Sequence, residues 1–108
     1  EIIEHRAELY NSKDGRGVYD LYAQSSDMKC FFCSAEMFAE HFAELTEGSE
    51  HSGLNIVMET IKGNLAEVKF IEYFSKDGEV ASFYSRTRFS RIDGEWKIIK
   101  EEREVAVQ

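Results

Sequence analysis

Residues 65–100 read LAEVKFIEYFSKDGEVASFYSRTRFSRIDGEWKIIK, and the two Asp-Gly pairs in this stretch, Asp77-Gly78 and Asp93-Gly94, decide the fold. Asp-Gly between alternating runs is a strong hairpin signal, because a type I′ turn needs positive φ at both central residues. A two-residue loop at Asp77-Gly78 pairs Lys76 with Glu79, so Phe74 faces Ala81, Glu72 faces Phe83 and Phe70 faces Ser85. The same loop at Asp93-Gly94 pairs Ile92 with Glu95, Arg91 with Trp96 and Phe89 with Ile98. Directly opposed residues share a face. One face therefore collects Val68, Phe70, Glu72, Phe74, Ala81, Phe83, Ser85, Thr87, Phe89, Trp96 and Ile98. A slip of one residue in either hairpin would mix charges into it, so it is the core face.

The opposite face carries Lys69, Ile71, Tyr73, Tyr84, Arg86, Arg88, Lys97, Ile99 and Glu101. The register sets Arg86 against Glu101 and Glu67 against Arg88, ordinary cross-strand charge pairs. Ile71, Tyr84 and Ile99 are expected to form an apolar row between them, a contact surface for a second copy of the chain. Upstream, Lys62-Gly63-Asn64 marks one more turn, and a three-residue loop there puts Leu54, Ile56 and Met58 on one face. The predicted strands are about 54–61, 65–75, 79–91 and 95–105.

The N-terminal part has helical periodicity. Ile3, Ala7 and Tyr10 recur at helical spacing, the pattern breaks at Asp14-Gly15-Arg16-Gly17, and it resumes with Val18, Leu21, Tyr22 and Ser25. Ser34 is a good N-cap for a third helix, with Glu36 in its first turn, an apolar stripe of Ala35, Phe38, Phe42 and Leu45, and Gly48 as the stop. The predicted helices are about 1–13, 17–27 and 34–47. The fold class is α+β: a single domain over 1–108, with N-terminal helices packed on a curved four-stranded antiparallel meander.

The composition bounds the function. At 108 residues, 43% hydrophobic and 13% aromatic, the chain can bury a core of its own. With 13 Lys+Arg against 21 Asp+Glu its formal charge is -8, which disfavours nucleic acid and anionic membranes as partners. No apolar run reaches the roughly 18 residues of a membrane helix, and no signal peptide is visible. Cys30 and Cys33, in Cys-Phe-Phe-Cys, could be half a zinc site or a redox pair. A zinc site lacks its second cysteine pair, and the neighbouring phenylalanines favour buried structural thiols. With the acidic charge this points to a reducing, cytoplasmic setting, with no metal and no cofactor.

Helices first, then a meander ending in Arg91-Ile92-Asp93-Gly94-Glu95-Trp96-Lys97-Ile98, resembles the NTF2-like, cystatin-like superfamily. Val68-Lys69-Phe70-Ile71-Glu72-Tyr73-Phe74 with Arg86-Thr87-Arg88-Phe89-Ser90-Arg91 looks like an uncharacterised bacterial branch associated with SEC-C zinc motifs. The likeness covers roughly residues 54 to 100, and the SEC-C motif itself is missing. The resemblance implies a cone in which a curved sheet wraps helices around a pocket. The superfamily includes isomerases, dehydratases, polyketide cyclases, ligand-binding domains and protein-binding domains, so it implies no single reaction.

Within such a pocket Glu72 is the most informative residue. Phe70 and Phe74 flank it and Phe83 faces it, and a carboxyl in apolar surroundings has a raised pKa suited to acid–base catalysis. The structural alternatives pair Glu72 with a helix residue such as Arg6 or with a tyrosine hydroxyl, or leave it solvated at the mouth of the pocket. His41, beside Phe42, is the second catalytic candidate, against the plainer reading of a boundary histidine. Tyr10, Tyr22, Phe70, Glu72, Ser85, Thr87 and Trp96 are the candidate pocket residues; Ile71, Tyr73, Tyr84, Arg86, Arg88 and Ile99 are the candidate interface. Tyr10, Tyr19 and Tyr22 could polarise a carbonyl, but tyrosines on a packing helix are more often core with a polar tip. The favoured reading is a non-enzymatic module that binds a small ligand or a protein partner in or beside the pocket. The alternatives are a pocket enzyme of the isomerase, cyclase or dehydratase type, and an interaction domain of a longer protein.

Overall fold

In the computed structural model, which describes residues 2–106, both Asp-Gly turns close as type I′ hairpins. Asp77 and Gly78 have φ of 53° and 82°, and Asp93 and Gly94 of 52° and 83°. Four strands form one antiparallel sheet in chain order: β1 (Ser49–Lys62), β2 (Leu65–Lys76), β3 (Glu79–Ile92) and β4 (Glu95–Val105). The β2–β3 register is the expected one throughout, with Glu72 opposite Phe83 and Phe70 opposite Ser85.

Four helices precede and cover the inner face: α1 (Ile2–Asn11), α2 (Gly15–Asp20), α3 (Asp27–Phe31) and α4 (Ala35–Leu45). Glu1, included in the first predicted helix, lies outside the described residues. The core joins Ile3, Val18, Tyr22, Phe38 and Phe42 from the helical half to Val68, Phe70, Phe89 and Ile98 from the sheet. Ser34 caps α4 by accepting from the Met37 N–H at 3.2 Å. Gly15 is where α2 meets α4, and a Cβ built there would lie 2.9 Å from the Ala39 Cα. Among the described residues no helix is long and apolar enough to cross a membrane.

Several expected boundaries move, each for a tertiary reason. The predicted helix 17–27 stops at Asp20 because the next residues pair with the free edge of β4. The Ile98 N–H donates to the Leu21 carbonyl and the Ala23 N–H to the Ile98 carbonyl, both at 2.8 Å, making a parallel bridge of Tyr22 with Ile98. Ser26 then caps the short α3, which the periodicity did not announce. β1 begins at Ser49 rather than near residue 54, since the polar run Ser49–Ser52 hides a strand paired with the end of β2. Its hairpin is a two-residue loop between Lys62 and Leu65, and an irregularity between Ile56 and Met58 turns Met58 to the outer side opposite Lys69. Met58 therefore does not share the face of Leu54 and Ile56.

The cysteine expectation is also corrected. Cys30 and Cys33 are both exposed, because α3 turns Phe32, not the thiols, toward the core.

The largest correction lies in β4. Ile92–Glu95, Arg91–Trp96 and Phe89–Ile98 pair as expected, but a β-bulge then opens between Arg88 and Phe89 with Ile99 as the extra residue. Beyond it Arg86 pairs with Glu102, not Glu101, and Thr87 with Glu101. Thr87 faces inward, so Glu101 and Arg103 do too. The outer row lacks Ile99 for a separate reason, since the pairing set by the Asp93-Gly94 turn already puts Ile99 level with Arg88, four residues from Tyr84. Ile71 and Tyr84 are directly paired, but Tyr84 meets Glu104 on β4, while Ile99 sits at the level of Arg88. The Glu67–Arg88 pair forms as expected, at 3.0 Å.

Candidate functional site

Glu72 is the hub of the inner face, 1% exposed. Its Oε1 accepts from Arg6 Nη2 and lies the same distance, 3.1 Å, from His51 Nε2; the carboxylate can only accept, so the geometry calls for a proton on Nε2. Its Oε2 accepts from the Ser85 hydroxyl and from Arg103 Nη2, each at 3.0 Å. A second carboxylate extends the network: Glu101 lies 3.3 Å from Arg6 Nη1 and accepts from the Tyr22 hydroxyl at 2.6 Å.

Local sequence explains how these groups meet. On α1, Ile3, Arg6 and Tyr10 recur at three- and four-residue spacing, so the helix that anchors Ile3 in the core points Arg6 at the sheet. Asn11, at the end of α1, grips the His51 backbone from both sides, accepting from its N–H at 2.7 Å and donating to its carbonyl at 3.0 Å. His51 precedes a bulge at Ser52 in β1, and Glu101 follows the bulge at Ile99 in β4. Bulges re-aim side chains, and here two of them flank one site.

The electrostatics run against the expected acid–base role. Burial pushes the Glu72 carboxyl up, but the His51 hydrogen bond, the Arg6 and Arg103 charges and the Ser85 hydroxyl outweigh it and hold the carboxyl at about 2. Burial and the neighbouring Glu101 push the Tyr22 hydroxyl up, so it stays a neutral donor. Burial works against the Arg6 charge, yet Glu101 and Glu72 more than compensate and raise its pKa. Glu72 is thus an ionised, structural anion with four hydrogen-bond partners, and the raised-pKa expectation fails because those partners are polar donors, two of them guanidinium groups, rather than phenyl rings.

This network forms the polar end of an open cavity of about 690 Å³. Tyr10, Phe42, Phe74 and Phe83 give the cavity its aromatic walls, with Met28 of α3 and Phe38 closing one side. Tyr10 sits edge-on to Phe42 at 5.4 Å and 5.1 Å from Phe74, and its hydroxyl donates to Ser49 Oγ at 3.2 Å. A smaller polar cavity of about 250 Å³, lined by Phe70, Ser85 and Thr87, shares Arg6, Glu72, Glu101 and Arg103 with the main one. Arg103 differs from its neighbours in being 44% exposed. Its guanidinium lies 5.4 and 5.3 Å from the ring centres of Phe74 and Phe83, and among the described residues it makes one hydrogen bond, to Glu72.

The candidates therefore separate. Tyr10, Tyr22 and Glu72 line the main cavity; Phe70, Ser85 and Thr87 lie on the smaller one. Trp96 lies apart from both, lining a crevice with Ile2, Val68 and Phe89 under a stacked Arg91. His41 is exposed on α4, 5.1 Å from the Phe32 ring, and does not join Glu72; His51 holds that position. Ile71, Tyr73, Tyr84, Arg86 and Arg88 lie on the outer face, with Arg86 bonded to Glu102. Sequence reasoning missed His51 and Arg103, and placed Glu101 on the wrong face. No group of three or more His, Cys, Asp or Glu side chains that could hold a metal occurs among the described residues.

No family model matches the chain, and no curated protein matches it. Solved structures do. A SEC-C motif containing protein from Rhodopseudomonas palustris aligns at 21% identity and a TM-score of 0.71, over 90% of this chain and 71% of its own. A cystatin-like domain of unknown function from Nostoc punctiforme aligns at 10% identity and a TM-score of 0.75, over 95% of this chain and 72% of its own. An NTF2-like protein with a cystatin-like fold from Novosphingobium aromaticivorans aligns at 15% identity and a TM-score of 0.69, over 95% and 76%. At these identities the likeness is one of fold: the chain has the NTF2-like, cystatin-like α+β fold, as its meander implied.

Proposed function

We propose that this NTF2-like chain is a binding module for a small molecule with an apolar, ring-containing body and a carboxylate head. The body lies against the wall formed by Tyr10, Phe42, Phe74 and Phe83, and the head is held by Arg103. The observation that carries this reading is the Arg103 guanidinium: half-exposed at the cavity, flanked by two phenyl rings, with one hydrogen bond among the described residues. A guanidinium presents five donors in a planar fork that matches a carboxylate. A cavity of about 690 Å³ falls in the range that encloses small ligands. Catalysis through Glu72 has no support, because a carboxylate held at about 2 and bonded on both oxygens is a poor proton acceptor near neutral pH.

The test is calorimetric titration with arylalkyl carboxylates and their primary amides. Carboxylates are expected to bind at least about tenfold more tightly than matched amides, as the loss of one charge-assisted contact implies. Arg103→Ala should abolish the preference, and Arg103→Lys should keep part of it. Equal binding of acid and amide, or an undiminished preference in Arg103→Ala, would refute the assignment.

A further inference from the structure

The segment Asp27–Cys33 links the bridge at Tyr22 to the N-cap of α4. Cys30 sits in α3 and Cys33 follows it by three residues; both thiols are free and exposed. Phe31 between them is 76% exposed and meets Phe32 edge-on at 4.8 Å. Phe32, in contrast, is anchored: its carbonyl accepts from the Tyr19 hydroxyl at 3.0 Å, and its ring packs 5.4 Å from Phe38. Met28, half a turn before Cys30, lines the main cavity.

A disulfide needs Cα atoms about 4.4–6.8 Å apart. Residues three apart on a continuous helix meet that span. Here Phe32 leaves the helix, with φ −100° and ψ 110°, and carries Cys33 off the helical path. A bond between the two sulfurs ties down the Phe32 peptide that lies between them, whose carbonyl Tyr19 holds, at the end of the helix that bears Met28. The chemistry at the surface and the wall of the cavity are joined through one anchored residue.

We propose that Cys30 and Cys33 are a reversible dithiol–disulfide pair, oxidised by a low-molecular-weight disulfide, and that closing the bond reshapes the α3 wall of the cavity. One thiolate attacks a sulfur of the small disulfide, forming a mixed disulfide and releasing one small thiolate. The second cysteine, as its thiolate, attacks the protein-bound sulfur, forming the Cys30–Cys33 bond and releasing the second. Two electrons pass to the small disulfide, and the two protons lost by the cysteines end on the two released thiols. The reverse exchange with excess small thiol restores the dithiol. Such bonds in reducing compartments are transient and sensory rather than structural.

The purified chain is incubated with oxidised glutathione and followed by intact-mass spectrometry. Wild type is expected to become a monomer lighter by two hydrogens, reversed by dithiothreitol. Cys30→Ser and Cys33→Ser should each stop at one glutathione adduct. Wild type that accumulates stable glutathione adducts, or disulfide-linked dimers, sinks the proposal. For the cavity, 8-anilinonaphthalene-1-sulfonate is titrated onto both redox forms; its affinity should change by about threefold or more, and not in a Cys30→Ser/Cys33→Ser double variant treated alike. Equal affinity for the two forms overturns the link to the cavity.

Discussion

Replacing Glu72 by Gln removes one charge from the hub while keeping its shape. Arg6 and Arg103 then lose their shared anion, and Oε2, which accepts from Ser85 and Arg103, becomes either a competing donor or a weaker acceptor. Two routes give the size of the effect. Removing one partner of a buried ion pair costs about 3–5 kcal/mol. Independently, a carboxyl held at about 2 instead of its ordinary 4.5 stabilises the folded state by on the order of 3 kcal/mol at about 1.4 kcal/mol per pH unit. The routes agree, and for a domain of this size they lower Tm by roughly 10–25 °C. The sign follows from the depressed folded value: the stabilisation is fully present above about pH 4.5 and is lost as pH falls toward 2. Urea unfolding of wild type and Glu72→Gln, followed by circular dichroism from pH 7 to pH 2.5, measures it. The stability gap should be constant down to about pH 5 and then shrink toward zero. A gap of the same size at pH 7 and pH 3, or a Gln variant as stable as wild type at pH 7, would refute the hub.

Two further changes test the scaffold. Gly15→Ala places a Cβ 2.9 Å from the Ala39 backbone, where no side chain can yield, so α2 and α4 must separate and stability should fall by about 1–3 kcal/mol in the same urea assay. Deleting Ile99 removes the extra residue of the β4 bulge and returns Glu101 and Arg103 to the outer face; it should abolish the carboxylate preference, whereas Ile99→Ala, which keeps the bulge, should retain it.

What was legible in the sequence was local. Asp77-Gly78 and Asp93-Gly94 carry their own conformational demand, and each sets the pairing of the residues beside it; the β2–β3 ladder follows along its whole length. Ser34 announced α4 for the same reason, since a cap is a contact between neighbours in the chain. Glu72 was legible because a charge stood amid phenylalanines in a register already determined. The bulge at Ile99 was not. It lies next to Ile98, where the chain after α2 pairs with the free edge of β4, and that pairing spans most of the sequence. Everything beyond it was inverted, which hid Glu101 and Arg103. His51 was missed because Ser49–Ser52 is polar and does not alternate; only its pairing with the end of β2 and the grip of Asn11 make it a strand residue.

That inversion also resolves an apparent conflict in the charge. A chain of formal charge -8 is an unpromising receptor for a carboxylate. In the network around Glu72, however, two arginines stand against two glutamates, so the hub itself is balanced, and the further acids of the cavity, Asp77 and Glu79, stand with Lys76 in its lining. Beyond a Debye length of about 8–10 Å, exposed acidic groups are largely screened. Glu72 and Glu101 divide Arg6 between them, but Glu72 takes one hydrogen bond from Arg103, whose fork has more to give. Glu72 therefore holds the planar fork in place against the two phenyl rings without consuming it. A buried carboxylate used in this way orients a cation for a second anion, a role that needs a low pKa, which is the reverse of what an acid–base catalyst requires.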